Sequence, residues 1–251
     1  MQSTGITWTN QTVNVAVGCD KVSEECRHCY AALDACRRAD NPIFPMYAGV
    51  ISRAPNRWGE RHDWSGLVNY SFDRLKLIDR LKPGMCFVNS MSDSFHDRLP
   101  DEFIIEMFSR MAARPDVIFQ VLTKRGHRLA KLAHRLNWSP NIWQGVTVGV
   151  GKSTWRLDQL REVPAAVRFV SVEPLIEPLD LHPWLDDGTL NWVIVGGESK
   201  SGWRPMRDDW VRDIRDACVA AGVPFFFKQR AGFQPEKHPV LDGRRWEQWP
   251  T

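Results

Sequence analysis

No stretch of this chain approaches the roughly 20 consecutive apolar residues that span a bilayer. Its first residues, Met1–Thr4, carry neither the basic start nor the apolar run of a secretory signal. A cytoplasmic location without a membrane partner is the expectation. Charge of one sign is also scarce. The 33 Lys and Arg against 30 Asp and Glu leave +3 over 251 residues, too little to argue for a polyanionic partner by itself. One glycine is missing as well. Gly145–Thr154 (G-V-T-V-G-V-G-K-S-T) looks like a phosphate loop, but G-x4-G-K-[ST] needs glycine at 146, where the chain has valine. Nucleotide hydrolysis is set aside, although a glycine turn ahead of a helix still offers amides to an anion.

A fourth cysteine is absent where cysteine is densest. Gly18–Ala31 (G-C-D-K-V-S-E-E-C-R-H-C-Y-A) holds Cys19, Cys26 and Cys29 as C-x6-C-x2-C. In a reducing compartment such a group points to metal or redox chemistry rather than disulfides. Three readings stand: reduced structural thiols, zinc with His28 or a distant cysteine as fourth ligand, or a three-cysteine iron–sulfur cluster. Structural zinc closes with four ligands, and an electron-transfer cubane takes four cysteines. Three leave one iron open, and the function is placed there. Cys36, Cys86 and Cys218 lie in apolar or helical surroundings and read as buried small residues.

The remaining chain alternates. Apolar runs at Val13–Val17, Met85–Asn89, Val117–Leu122, Ile142–Val148, Val167–Val172, Trp192–Val195 and Pro224–Phe227 predict about seven strands. Helices are predicted at Tyr30–Arg38, Ser71–Leu81, Pro100–Arg114, His127–Leu136, Ser153–Glu162 and Asp208–Ala221. Strand–helix repetition implies an α/β fold, a full or partial (β/α) barrel of parallel strands, as one domain over 1–251. The cysteine loop at 18–30 would follow the first strand. Residues 40–66, with Pro42, Pro45, Pro55 and Trp58, read as an irregular insertion of the kind that contacts substrate.

In such barrels chemistry gathers at the C-terminal strand ends. Here those ends carry Asn89, Ser90, Ser92 and Asp93, then Thr123, Lys124 and Arg125, and then Thr147. Ser171 and Glu173, Glu198 and Ser199, and Lys228 and Gln229 complete the set. Strand ends are commonly polar, but Glu173 and Lys228 directly follow apolar runs. The basic segment from Lys124 to Arg135 and the twelve tryptophans are compatible with nucleic acid, though scattered tryptophans more often fill a core.

These segments, with F-V-N-S-M-S-D-S-F-H, F-Q-V-L-T-K-R, W-Q-G-V-T-V-G, V-S-V-E-P-L, W-V-I-V-G-G-E-S and P-F-F-F-K-Q, resemble a phage-associated family of three-cysteine proteins of uncharacterised function. That family is related to the radical-SAM enzymes, and S-M-S-D-S resembles a strand end of the DNA-repairing spore photoproduct lyases. The chain departs from the superfamily's C-x3-C-x2-C and places His28 where an aromatic residue is usual. The resemblance implies a [4Fe–4S] cluster on Cys19, Cys26 and Cys29 whose open iron binds S-adenosylmethionine and yields a 5′-deoxyadenosyl radical. It implies Ser90, Ser92 and Asp93 at the methionine and ribose ends, with Thr147 and Glu173 as further contacts. Lys124, Glu198 and Lys228, with Gln229, are the catalytic candidates for substrate or proton handling. An electron donor such as flavodoxin or ferredoxin is the implied partner, and a nucleic acid or nucleotide the substrate class. The alternative is a non-catalytic zinc or iron–sulfur protein that binds nucleic acid or regulates.

Overall fold

The computed structural model describes residues 4–56 and 59–251, without the side chains of 56–61, so Trp58 lies outside the described residues. Seven strands form the main sheet: β1 (Gln11–Val13), β2 (Gly84–Val88), β3 (Val117–Thr123), β4 (Ile142–Thr147), β5 (Arg168–Val172), β6 (Trp192–Gly196) and β7 (Phe225–Gln229). Each pairs in parallel with its successor, so sheet order equals chain order. The helices between them are α1 (Tyr30–Ala39), α2 (Lys76–Asp79), α3 (Asp101–Ala112), α4 (Gly126–Ala133), α5 (Trp155–Arg161), α6 (His182–Leu185) and α7 (Asp208–Ala221). Crossovers of one hand in strict sequential order put the helices on one face, and the sheet curls about the other. Among the described residues no pairing joins β1 to β7. The barrel is therefore partial. No described helix is long and apolar enough to cross a membrane.

Alternation along each strand sorts its residues between two cores. Val117, Phe119, Val121, Val170, Val172, Val193, Val195, Phe225 and Phe227 pack outward with Phe103, Met107, Leu129, Leu157, Val211 and Ile214 of the helices. Phe87, Trp143, Phe169, Trp192, Ile194 and Phe226 point inward and form a second core with Trp8. Trp192 lies 5.6–6.3 Å, ring to ring, from Trp8, Trp143, Phe169 and Phe226, each contact adding about 0.5–1.5 kcal/mol beyond area burial. Burial on both faces explains why the strands read as continuous apolar runs. One further inward step along β3, β4, β5 and β7, past this aromatic layer, come Lys124, Thr147, Ser171 and Lys228.

Three expectations need correction. The strand expected over 13–17 divides after Val13, and Ala16–Val17 pairs antiparallel with Asn69–Tyr70. Asn14 causes the break: its Oδ1 accepts the backbone N–H of Ser90 and of Met91 at 2.8 and 2.9 Å, replacing the ladder. The helix expected over 71–81 is a 3-10 turn, Phe72–Leu75, followed by the single turn of α2. The stretch 40–66 is not irregular. It contains a 3-10 turn, Pro45–Tyr47, and an antiparallel ribbon, Ile51–Asn56 against Gly59–Trp64, registered Ile51 to Trp64. A two-stranded ribbon is all edge and tolerates Pro55, which argued against a strand in the sequence.

Candidate active site

The C-terminal strand ends open into a cavity of about 1070 Å³. It is lined by all three loop cysteines, by the five cofactor-contact candidates and by the three catalytic candidates. Among the described residues no further cysteine lines it. Cys86 and Cys218 are buried in the helix–sheet core.

Gly18 launches the cysteine loop. Its φ is +111°, and a Cβ there would lie 2.1 Å from the Leu67 carbonyl oxygen, so glycine is required. Its N–H donates to the Met91 carbonyl at 2.9 Å, which lays the loop beside the Ser90–Asp93 segment. Cys29 occupies the N-cap position of α1, without a side-chain capping bond. Burial first, and the Asp93 charge next, push the metal-free Cys19 thiol up to about 12, against the opposing pull of Arg125.

Arg125 is buried and central. Its guanidinium pairs with Asp20, lies 3.4 Å from Asp93 and comes within 4.0 Å of the Cys19 sulfur. The Cys19, Asp20 and His96 donor atoms lie within 4.8 Å of one another. That group is charge-balanced by Arg125 rather than vacant for a cation. Burial and the Arg125 charge hold His96 below the ordinary histidine value, despite its nearby carboxylates. His28 also lines the cavity, and its ring lies against the Gly202 turn, where a Cβ would sit 2.8 Å from its Nδ1.

Lys124 has no hydrogen bond or ion pair through its ammonium group among the described residues. Burial works against its charge, yet Cys26, Cys29, Asp93 and Glu25 outweigh it and hold the pKa above the ordinary lysine value. Lys228 lies 2.6 Å from Glu173, whose other oxygen accepts the Ser171 hydroxyl at 3.0 Å. Thr147 presents a buried Oγ1 with no hydrogen-bond partner among the described residues. Burial, with the charges of Cys29, Glu173 and Asp34, pushes the Tyr30 phenol upward.

Asp93 and Glu198 line the cavity and also make structural contacts at its rim. Asp93 accepts from Thr123 Oγ1 at 2.6 Å and from the Lys124 and Phe95 amides at 2.9 Å, tying β2 to β3. Glu198 grips Arg204 with both oxygens, at 2.8 and 3.0 Å. Ser90 is bound to Asn14, and Ser92 bridges to Gly18. Within the basic segment Arg128 donates to the His96 and Leu99 carbonyls and pairs with Asp101, as does Arg135, while His127, Lys131, His134 and Arg135 are exposed. Of the described tryptophans only Trp203 is exposed among the large apolar residues; Trp8, Trp64, Trp143, Trp192 and Trp246 are core.

The sequence matches a family described as protein of unknown function (DUF5131) over residues 3–250. The chain belongs to the DUF5131 family. No curated protein matches it. Among solved structures it is similar to spore photoproduct lyase: a double mutant with bound AdoMet and dinucleoside spore photoproduct, and a tyrosine-to-phenylalanine mutant. Each match is 13% identical, with a TM-score of 0.45, and covers 86% of this chain and 62% of the lyase chain.

Three soft thiols line one mouth of this DUF5131 protein, with the cations Lys124 and Arg125 beside them, a donor set that fits an anionic iron–sulfur cluster.

Sequence reasoning overlooked Glu24, Glu25, Asn14, Arg156 and Arg204. All but Glu24 are half-buried or buried polar residues, and each has a partner far away in sequence. Only the doublet Glu24–Glu25 beside a metal-type cysteine offered a local signal.

Proposed function

We propose that this DUF5131 protein is a radical-SAM-type enzyme that holds a [4Fe–4S] cluster through Cys19, Cys26 and Cys29 and binds S-adenosylmethionine beneath it. The observation that carries the reading is the gathering of three thiols, with no fourth among the described lining residues, at one polar mouth of a parallel half-barrel. When bound, such a cluster supplies one electron to the sulfonium of S-adenosylmethionine and releases a 5′-deoxyadenosyl radical. The protein's contribution is binding, orientation and exclusion of water.

The unpaired Lys124 ammonium beside Cys26 and Cys29 supplies the cation for the carboxylate of the ligand. The unpartnered Thr147 Oγ1 offers a hydroxyl to its polar groups. The Lys228–Glu173 pair, deeper along the same wall, is the candidate for moving a proton. The aromatic floor of Trp8 and Phe87 keeps water from the radical side. A nucleic acid or nucleotide remains the proposed substrate class. It rests on Phe44 and Tyr47 at the mouth, with the Arg38 guanidinium 5.5 Å over Tyr47.

Anaerobic reconstitution with iron and sulfide, then electron paramagnetic resonance of the reduced protein, tests the reading. A [4Fe–4S]⁺ signal that shifts when S-adenosylmethionine is added is expected. A protein that takes one zinc instead, with no cluster, overturns it in favour of a metal-stapled binding protein.

A further inference from the structure

The two acidic residues before Cys26 are each gripped from a different strand end. Glu24 is held by Arg204, whose Nη1 lies 2.5 Å from its carboxylate and whose Nη2 donates to its carbonyl at 3.1 Å. Arg204 is itself fixed by Glu198, just beyond β6, through Nε at 3.0 Å, Nη2 at 2.8 Å and its own backbone N–H at 2.8 Å. Glu25 plunges the other way, into the glycine turn after β4. Its Oε1 accepts the Gly149 N–H at 3.0 Å and faces the Arg156 guanidinium at 3.3 Å. A Cβ on Gly149 would lie 2.8 Å from the Glu25 side chain and 2.1 Å from the Pro174 carbonyl. The turn that resembles a phosphate loop is thus an anion cradle, already filled by the chain's own carboxylate.

We infer that Arg204 and the Gly149–Arg156 cradle are positioning residues. They hold the Cys26 arm of the ligand loop in its binding conformation before any metal arrives. The inference rests on the cluster reading above. It also gives the long first gap of C-x6-C a use: the 3-10 turn Glu24–Cys26 spends its two carboxylates, on opposite sides, pinning Cys26 across the mouth. Cys29 needs no such clamp, because α1 fixes it. Lysine cannot replace Arg204, since the site uses the planar fork of donors on two carboxylates at once.

The test compares wild type with R204A, R204K, E24A and the double variant E24A/R204A, after circular dichroism has shown them folded. E24A removes a half-exposed carboxylate, leaves Glu198 paired and keeps the fold safe. Hydrogen exchange of amides 20–28 is measured on the metal-free chains, and anaerobic cluster release to an iron chelator on the reconstituted ones. Faster exchange confined to 20–28 is expected in R204A, with cluster release about 10–100-fold faster. R204K should fail to rescue, and E24A/R204A should be no worse than R204A. Unchanged exchange and release in both R204A and E24A overturn the inference. A wild type that takes no cluster refutes the functional reading instead, while exchange in the metal-free chains still decides the clamp.

Discussion

Replacing Glu25 by glutamine tests the internal ion pair that anchors the cysteine loop. The side chains of Glu25 and Arg156 are 0% and 2% exposed. Glutamine keeps an oxygen for the Gly149 N–H but removes the charge, leaving Arg156 buried with only the Thr147 carbonyl at 2.7 Å. Breaking a buried pair from one side costs about 3–5 kcal/mol. At roughly 2–4 °C per kcal/mol for a chain near this length, the melting temperature should fall by roughly 6–20 °C. Urea titrations of E25Q, R156M and E25Q/R156M measure the cost through the midpoint at constant slope. The double variant should be more stable than E25Q, because no charge is then stranded. Acid gives a second arm. Burial opposes the Glu25 charge, but the Ser153 and Ser23 hydroxyls, the Gly149 amide and Arg156 outweigh it and hold the carboxyl below its ordinary value. A depressed folded pKa gives stability that is full above the unfolded value of about 4.3 and lost as pH falls through the folded one. The gap between wild type and E25Q should therefore narrow below about pH 4. A single variant within about 1 kcal/mol of wild type would refute the argument.

Gly145→Ala places a Cβ 2.4 Å from the Phe169 ring and should cost about 1–3 kcal/mol in urea; Phe169→Leu should recover part of it, and an unshifted midpoint contradicts this packing. With its thiol pushed up to about 12 from 9.0, Cys19 of the folded metal-free protein should carry about a thousandfold less thiolate than in urea. Iodoacetamide labelling mapped by mass spectrometry reads this, and equal labelling in both states counts against it. Lys124→Met should weaken S-adenosylmethionine binding to cluster-loaded protein about 10–100-fold, the loss of one charge-assisted hydrogen bond; equal affinity in equilibrium dialysis removes Lys124 from that role.

The sheet was legible because β2 to β7 are buried on both faces, and continuous Val, Ile, Phe and Trp runs admit few other readings. β1 was misplaced because the Asn14 side chain, not backbone propensity, decides where pairing stops. The mouth was legible as a set: alternation past Phe169 and Phe226 carries Ser171 and Lys228 inward without knowledge of contacts. Individual roles were not. Glu198 and Asp93 look like free carboxylates in sequence, and only the fold reveals that Arg204 and Thr123 already occupy them. Glu25 was illegible for the same reason, its partners lying 124 and 131 residues away.

The unjoined edges of β1 and β7 have a topological consequence. Among the described residues no strand pairing closes the wall between β1 and β7, so whatever closes it comes from outside the sheet. The seam here is crossed by Lys237, whose ammonium donates to the Gly5 carbonyl at 2.9 Å, and by Trp249, whose indole N–H donates to the Trp8 carbonyl at 3.3 Å. These two hydrogen bonds, of about 1 kcal/mol each, join the packing of Trp8 and Trp249 on the inward aromatic core. The seam is thus bridged by the segments that flank β1 and β7 rather than by strand pairing.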